Sequence, residues 1–91
     1  MSEKVTVVAA GNTLAPALAV LHRLGFQVSA MNSSMSGPPL LQAEDETCRL
    51  IAEDPLLLLG LATLVRQRGA NWKPTDEEVT DLLRLMGDDA A

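Results

Sequence analysis

The strongest structural signal in this chain is AEDPLLLLGLATLVRQRG, residues 52–69. Asp54 is a preferred residue at a helix N-cap, and Pro55 suits the first helical position, where its missing N–H leaves no backbone donor unpaired. The apolar run that follows ends in a basic last turn and at Gly69, which favours helix termination. The pattern predicts a helix that begins at Pro55 and lies at the centre of the core.

The apolar residues of this helix occupy two sides. A main arc of about 120° is wide enough to bury against a sheet. It consists of Leu57, Leu58, Leu61, Leu64 and Val65. Leu56 and Leu59 fall outside this arc, so they need a second cover. The next helix is long enough to fold back antiparallel and cover Leu59 well and Leu56 marginally. If both stay exposed, they mark a dimer or partner interface.

The N-terminal part of the chain is typical of a strand, a helix and a second strand. Residues 5–10, VTVVAA, are apolar and β-branched, which predicts a central strand. The helix that follows is expected to end at Gly25, and residues 26–31 alternate as a second strand. A compact βαβ unit predicts that the two strands are parallel.

The remaining elements follow from local patterns. Residues 32–39 contain Ser, Gly and Pro in a cluster that predicts a mobile loop. Two short apolar runs, 40–43 and 48–52, flank a polar turn and predict an antiparallel hairpin. Thr75 and Glu78 have the spacing of a capping box, which predicts the start of a third helix.

The element order βαββαα predicts an α+β fold. We expect a single two-layer domain over residues 1–91, with a four-stranded mixed sheet and three helices mainly on one face. Residues 1–3 and 87–91 are expected to fray. Four polar residues are expected on the solvent face of the sheet: Gln27, Ser29, Gln42 and Arg49.

Charge is distributed unevenly along the chain. Its net charge is −5, whereas residues 40–91 alone carry eleven acidic and five basic residues, a net charge of −6. Phosphate backbones repel such a surface, so we expect no nucleic-acid binding. A basic protein partner would be attracted to it. The alternative interpretation is that an acidic surface serves solubility alone.

Cysteine usage and hydropathy predict a cytoplasmic protein without a membrane association. Cys48 is the single cysteine, which excludes an intramolecular disulfide and fits a reducing compartment. The N-terminal residues lack the pattern of a secretory signal. The leucine-rich run is far shorter than the roughly 20 residues that cross a bilayer. The chain is expected to be a monomer or a weak homodimer.

No catalytic constellation is visible in the sequence. His22 and Cys48 are the only classical base and nucleophile apart from hydroxyl groups. A catalytic pair would require their contact, whereas the predicted elements place them on a helix edge and after a hairpin turn. One histidine and one cysteine are too few for a zinc site. We therefore expect no enzyme activity, no metal and no cofactor.

Several exposed features are candidates for a partner surface. The acidic turn is either a solvated turn or a docking patch. Trp72 either packs over the core edge or anchors an interface. Together with the two leucines that need a cover, the candidate partner surface consists of Glu44, Asp45, Glu46, Leu56, Leu59 and Trp72.

A second candidate site is the strand-to-helix turn formed by Gly11, Asn12 and Thr13. Exposed N–H groups at a helix start can hold an anion. The turn lacks the lysine of a phosphate-binding loop and a second glycine at dinucleotide spacing. A plain cap and turn is the alternative interpretation.

These observations favour a small acidic, non-enzymatic protein-binding module, of the inhibitor or immunity-like kind. The alternative is a module for a small anionic ligand, bound between the Gly11–Thr13 turn and the 32–39 loop, because α/β sites form near strand ends. No motif identifies a family.

Overall fold

The computed structural model describes residues 4–31 and 39–87, which form an α+β fold. Residues 32–38 of the predicted loop 32–39 lie outside the described residues, as do residues 1–3 and residues 88–91 of the predicted frayed ends 1–3 and 87–91. The helices are α1 (Leu14–Arg23), α2 (Pro55–Arg68) and α3 (Asp76–Leu85), and the strands are β1 (Gln27–Met31), β2 (Leu40–Glu44) and β3 (Arg49–Ala52). None of the described helices is long and apolar enough to cross a bilayer.

The three strands form an antiparallel sheet in the order β1-β2-β3. The predicted hairpin is confirmed as the β2–β3 pair. Its register places Ala43 opposite Leu50 on the inner face, and both are buried. On the solvent face, Glu44 lies opposite Arg49 and forms an ion pair of 3.2 Å with it. The alternation of apolar and polar residues therefore assigns the two faces as the sequence predicts.

The helices α1 and α2 pack against each other and on the inner face of the sheet. Their buried residues join those of the sheet in one cluster, which consists of Leu21, Phe26, Ala43, Leu50, Leu58 and Ala62. Arg66 closes one side of it: its guanidinium lies 5.6 Å from the centroid of the Phe26 ring and donates a 3.1 Å hydrogen bond to the carbonyl oxygen of Leu24. A cation over an aromatic face is attracted to the ring.

The helix starts that the sequence predicts for α2 and α3 are confirmed. The Asp54 carboxylate accepts a 2.8 Å hydrogen bond from the N–H of Leu57, and Pro55 is the first residue of α2. The hydroxyl of Thr75 accepts a 3.2 Å bond from the N–H of Glu78, whose carboxylate accepts a 2.8 Å bond from the N–H of Thr75. This reciprocal pair is the predicted capping box.

The predicted four-stranded mixed sheet is wrong, because residues 5–10 form no strand. Val5, Val7 and Val8 are 89 %, 74 % and 72 % exposed. The segment has strand propensity, but such propensity expresses packing against a neighbouring strand rather than a fixed backbone preference. Nothing in the six residues specifies which edge they pair with. The predicted parallel βαβ unit is consequently absent from the described sheet, whose strand pairs are all antiparallel.

The prediction that α3 folds back over α2 is also wrong. Every residue from Asn71 to Gly87 is exposed, so α3 buries no face against the rest of the described chain. The direction is set where α2 ends: Gly69 takes a positive φ of 63° and begins a 3-10 turn over Gly69–Asn71. The helix α3 is long enough to cover α2, but the turn at residues 69–71 directs it away from the surface of α2.

The inner side of α2 is rotated relative to the predicted arc. Leu58 and Ala62 are buried, whereas Leu57, expected in the core, is 51 % exposed. Leu59 is half-buried against the main cluster. Leu56 is also half-buried and borders a crevice with the α1 start, next to Leu14. These two leucines therefore receive partial cover without α3.

Candidate functional site

An apolar groove of about 610 Å³ lies between β3 and the C-terminal half of α2. Its wall on one side is the consecutive run 47–51, which includes residues from both faces of β3. Since β2 occupies one edge of β3, a groove lined from both faces lies along the other edge. The apolar lining comes mainly from Leu50, Ile51, Leu61, Leu64, Val65 and Trp72. A groove that follows a strand edge offers backbone hydrogen-bonding groups together with apolar pockets.

Trp72 lies on the rim of this groove and is 45 % exposed. It follows the 3-10 turn that ends at Asn71 and precedes the first turn of α3. The two interpretations of Trp72, packing at the core edge and anchoring an interface, both stay predictions.

The helix α3 presents a second apolar surface. On a helical wheel, four of the five apolar residues of α3 and its C-cap fall within an arc of about 100°, and Leu85 lies outside it. We call this surface the α3 arc; it consists of Val79, Leu82, Leu83 and Met86, which are 42 %, 55 %, 43 % and 71 % exposed. The polar side carries the acidic residues Asp76, Glu77, Glu78 and Asp81 against Arg84 alone, which gives a net charge of −3.

A polar connection holds the start of α3 at the end of α2. The two guanidinium nitrogens of Arg68 contact the two carboxylate oxygens of Glu78, at 2.8 Å and 3.0 Å, and Nη2 also donates a 3.3 Å bond to the carbonyl of Lys73. The hydrogen bond from Arg68, followed by that from the N–H of Thr75, lowers the pKa of Glu78. The carboxylate therefore stays charged in the pair near neutral pH.

The acidic turn has internal hydrogen-bonding partners for two of its three carboxylates. Asp45 accepts bonds from the N–H groups of Thr47 at 2.8 Å and Cys48 at 2.9 Å. These two backbone donors lower the pKa of Asp45. Glu44 pairs with a cross-strand arginine, and Glu46 is exposed. The turn is thus partly explained by hairpin closure.

The residues considered for catalysis lie on different elements. His22 is exposed on α1, and Cys48 is half-buried before β3. In the described part of the chain, no hydrogen bond joins them. Burial, followed by the charge of Asp45, raises the pKa of the Cys48 thiol, which disfavours the nucleophilic thiolate. Residues 4–31 and 39–87 also contain no group of three or more His, Cys, Asp or Glu side chains arranged to hold a metal ion.

The candidate anion turn, Gly11–Thr13, forms a 3-10 turn before α1. The hydroxyl of Thr13 donates a 2.6 Å bond to the carbonyl of Ala10 rather than capping the helix. A crevice of about 280 Å³ beside the turn is also lined by Asp54. A carboxylate at this position opposes the approach of an anion.

Sequence reasoning missed both the α3 arc and the edge of β3 as candidate surfaces. The arc forms a clear helical pattern, but the same pattern is typical of a helix that packs on its own core. The edge was not visible, because strand order is a tertiary property.

No protein-family model matches the chain, and comparisons with curated proteins and with solved structures give no match either.

Proposed function

We propose that this chain is a non-enzymatic protein-binding module that presents α3 as a docking helix. The observation that carries the proposal is the exposure of the whole α3 arc on an amphipathic helix. An amphipathic helix that lays its apolar face into a groove of another protein is a recurrent mode of recognition. The partner required is a protein with an apolar groove.

The charge of α3 specifies this partner further. The polar side has a net charge of −3 and begins with three consecutive acidic residues, Asp76, Glu77 and Glu78. Basic residues at the rim of the partner's groove would accelerate association and select against acidic competitors. We therefore infer a groove with a basic rim. This agrees with the basic partner expected from the charge of residues 40–91.

Two local features support α3 as a preformed ligand. The capping box satisfies donors at its first turn, and the Arg68–Glu78 pair ties that turn to α2. A helix that is already ordered and oriented loses less conformational freedom when it binds. Trp72, four positions before the first residue of α3, is placed to extend the contact at the base of the helix.

The test compares two leucines that receive the same substitution. Leu82 lies in the α3 arc and Leu85 lies outside it, and both are exposed, at 55 % and 81 %. Immobilised wild type, Leu82→Asp and Leu85→Asp are incubated with proteins of the source cell. The expected result is a protein that wild type and Leu85→Asp retain and Leu82→Asp loses.

The retained protein is then purified and titrated by calorimetry. We expect affinity to weaken as salt rises, and amide exchange to slow within α3 on binding. Retention of the protein by Leu82→Asp, or slowed exchange confined to other elements, would contradict the proposal.

The anion-binding alternative stays a prediction, with two observations against it: Asp54 lines the same crevice as the Gly11–Thr13 turn, and the hydroxyl of Thr13 donates to Ala10. A melting temperature that rises with inorganic phosphate, but not with chloride at equal ionic strength, would revive it.

A further inference from the structure

The strand β3 has one edge that no described residue pairs with. In the sheet order β1-β2-β3, β3 forms its ladder with β2 alone. The other edge borders the apolar groove, where Leu50 and Ile51 lie beside Leu64 and Val65 of α2. An unpaired edge is a template for a further strand, and proteins usually shield it with charge, proline or a covering segment. Residues 47–51, which form the groove wall, contain no proline and one charged residue, Arg49, so the edge has little of this protection.

The same chain contains a segment suited to this edge. Residues 5–10 are described without secondary structure, and their valines are between 72 % and 89 % exposed. Ala10 has an extended backbone, with φ −151° and ψ 179°. Six extended residues span about 20 Å. This length matches β3 and the two residues before it, a run of which residues 47–51 line the groove.

We propose that residues 5–10 of one copy add as a strand to the free β3 edge of a second copy, and that the exchange is reciprocal. Each copy then has its exposed valines covered and its edge paired, and the two-fold arrangement closes without further growth. This homodimer uses neither the α3 arc nor its charges, so it is tested separately from the docking role of α3, although Trp72 borders both surfaces.

Charge does not oppose a second copy at this segment. Each chain has a net charge of −5, so its charged surface repels another copy. Residues 5–21, like residues 24–43, contain no charged side chain, so the segment 5–10 can approach another copy without like-charge repulsion from its own side chains. It is also the stretch with the most exposed valines.

The exposed segment supplies apolar area to the proposed contact. Each of residues 4–10 is exposed, and the three valines among them are 72 % exposed or more. A standard interface buries about 800 Å² per partner, so the segment must bury its valines together with the apolar lining of the groove.

Sedimentation of the full chain over a concentration series tests the proposal. We expect wild type to approach twice 9.7 kDa as concentration rises. Val7→Asp and Ile51→Lys should each raise the dimer Kd by about tenfold or more. Both positions are exposed in one copy, at 74 % and 44 %, so each variant should keep the wild-type circular dichroism. Leu85→Asp is the matched control and should leave the Kd unchanged.

Two outcomes would overturn the proposal: a wild type that stays monomeric up to submillimolar concentration, or a dimer that Leu82→Asp dissociates and Val7→Asp does not. The second would place self-association on the α3 arc. If Leu82→Asp still retains the partner protein, by contrast, only the docking role of α3 is contradicted.

Disulfide trapping tests which copy supplies the strand. Cys48 is the only cysteine and lines the groove. Thr6→Cys and Ala9→Cys place a second thiol near either end of the segment, so parallel or antiparallel pairing brings one of them within disulfide range of Cys48. Because burial raises the pKa of the Cys48 thiol, oxidation is run at alkaline pH.

The expected product is a covalent dimer from one of these two variants, which reduction reverses. Wild type and Leu85→Cys are the controls and should give less of it. An intramolecular disulfide would mean that the segment folds onto its own edge. That result, or no covalent product from either variant, would overturn the exchange.

Discussion

Arg68 and Glu78 are joined by a two-point ion pair, with Nη1–Oε2 at 2.8 Å and Nη2–Oε1 at 3.0 Å. The first residue is the last of α2, and the second lies in the first turn of α3. Since α3 buries no face against the rest of the described chain, the contacts of Arg68 with Glu78 and Lys73 hold its start in the direction that the turn at Gly69 gives it. A parallel fork of this kind fixes geometry as well as supplying attraction.

Arg68→Gln should therefore free α3 without unfolding the domain. We expect faster amide exchange over Thr75–Val79, while the urea midpoint of the core stays near the wild-type value, because neither partner is part of the buried cluster. Arg84→Gln is the matched control, since Arg84 pairs with Asp81 within α3 at 3.4 Å. Equal exchange in both variants would contradict an orienting role for Arg68.

The N-cap of α2 gives a prediction about stability. Asp54→Ala removes the acceptor for the N–H of Leu57, and loss of such a cap costs about 0.5 to 2 kcal/mol. Urea denaturation measures the change. Glu53→Ala, at the exposed neighbouring position, is the control and should change stability less. An unchanged midpoint in Asp54→Ala would refute the importance of the cap.

Gly60 lies in the middle of α2, is exposed, and has open space where a β-carbon would be placed. Alanine is favoured over glycine in a helix interior by about 1 kcal/mol. Gly60→Ala should therefore raise the free energy of unfolding by up to that amount. Gly69→Ala provides the contrast. Gly69 has a φ of 63°, which disfavours alanine, so this substitution should lower the free energy of unfolding. Destabilisation by Gly60→Ala would mean that another surface lies close to this position.

The features that the sequence predicted correctly are local ones. Asp54 and the Thr75–Glu78 capping box contact their own helix within three residues, so their spacing alone specifies the bond. The β2–β3 hairpin is similarly local, with four residues between its strands. In each of these features, the two contacting groups are close together in the sequence, so a local pattern is enough to predict the contact.

The features that it missed depend on distant partners. Residues 5–10 have the composition of a strand, but composition does not choose an edge. The length of α3 permitted a return over Leu59, but the backbone at Gly69 decided the direction. The candidate surfaces, the α3 arc and the groove beside β3, result from these two outcomes. The apolar pattern of α3 is therefore readable from the sequence, whereas the exposure of the α3 arc and the position of the groove are not.

The acidic turn gives a prediction about pH. Two backbone N–H groups hold the pKa of Asp45 below its ordinary value in the folded state. A lowered carboxyl pKa contributes stability above the ordinary value of about 4 and loses it as pH falls through the folded pKa. Titration by NMR should give a value below that of a free aspartate. The free energy of unfolding should therefore decrease as pH falls below about 4, and this decrease should be smaller in Asp45→Asn. An equal decrease in wild type and Asp45→Asn would contradict the prediction.

Two leucine-to-alanine substitutions, one in the core and one in the α3 arc, show whether the arc is exposed in solution. Leu58 is completely buried, whereas Leu82 is 55 % exposed. Leu58→Ala should lower the free energy of unfolding by about 2 to 5 kcal/mol, because it removes core contacts and leaves a cavity. Leu82→Ala should change it by no more than about 0.5 kcal/mol, because exposed sites away from special features are tolerant. If both substitutions destabilise the protein to a similar extent in urea, α3 packs against the domain in solution. The apolar face of α3 would then be buried against the chain's own core, and a partner would have to separate α3 from the core in order to bind it.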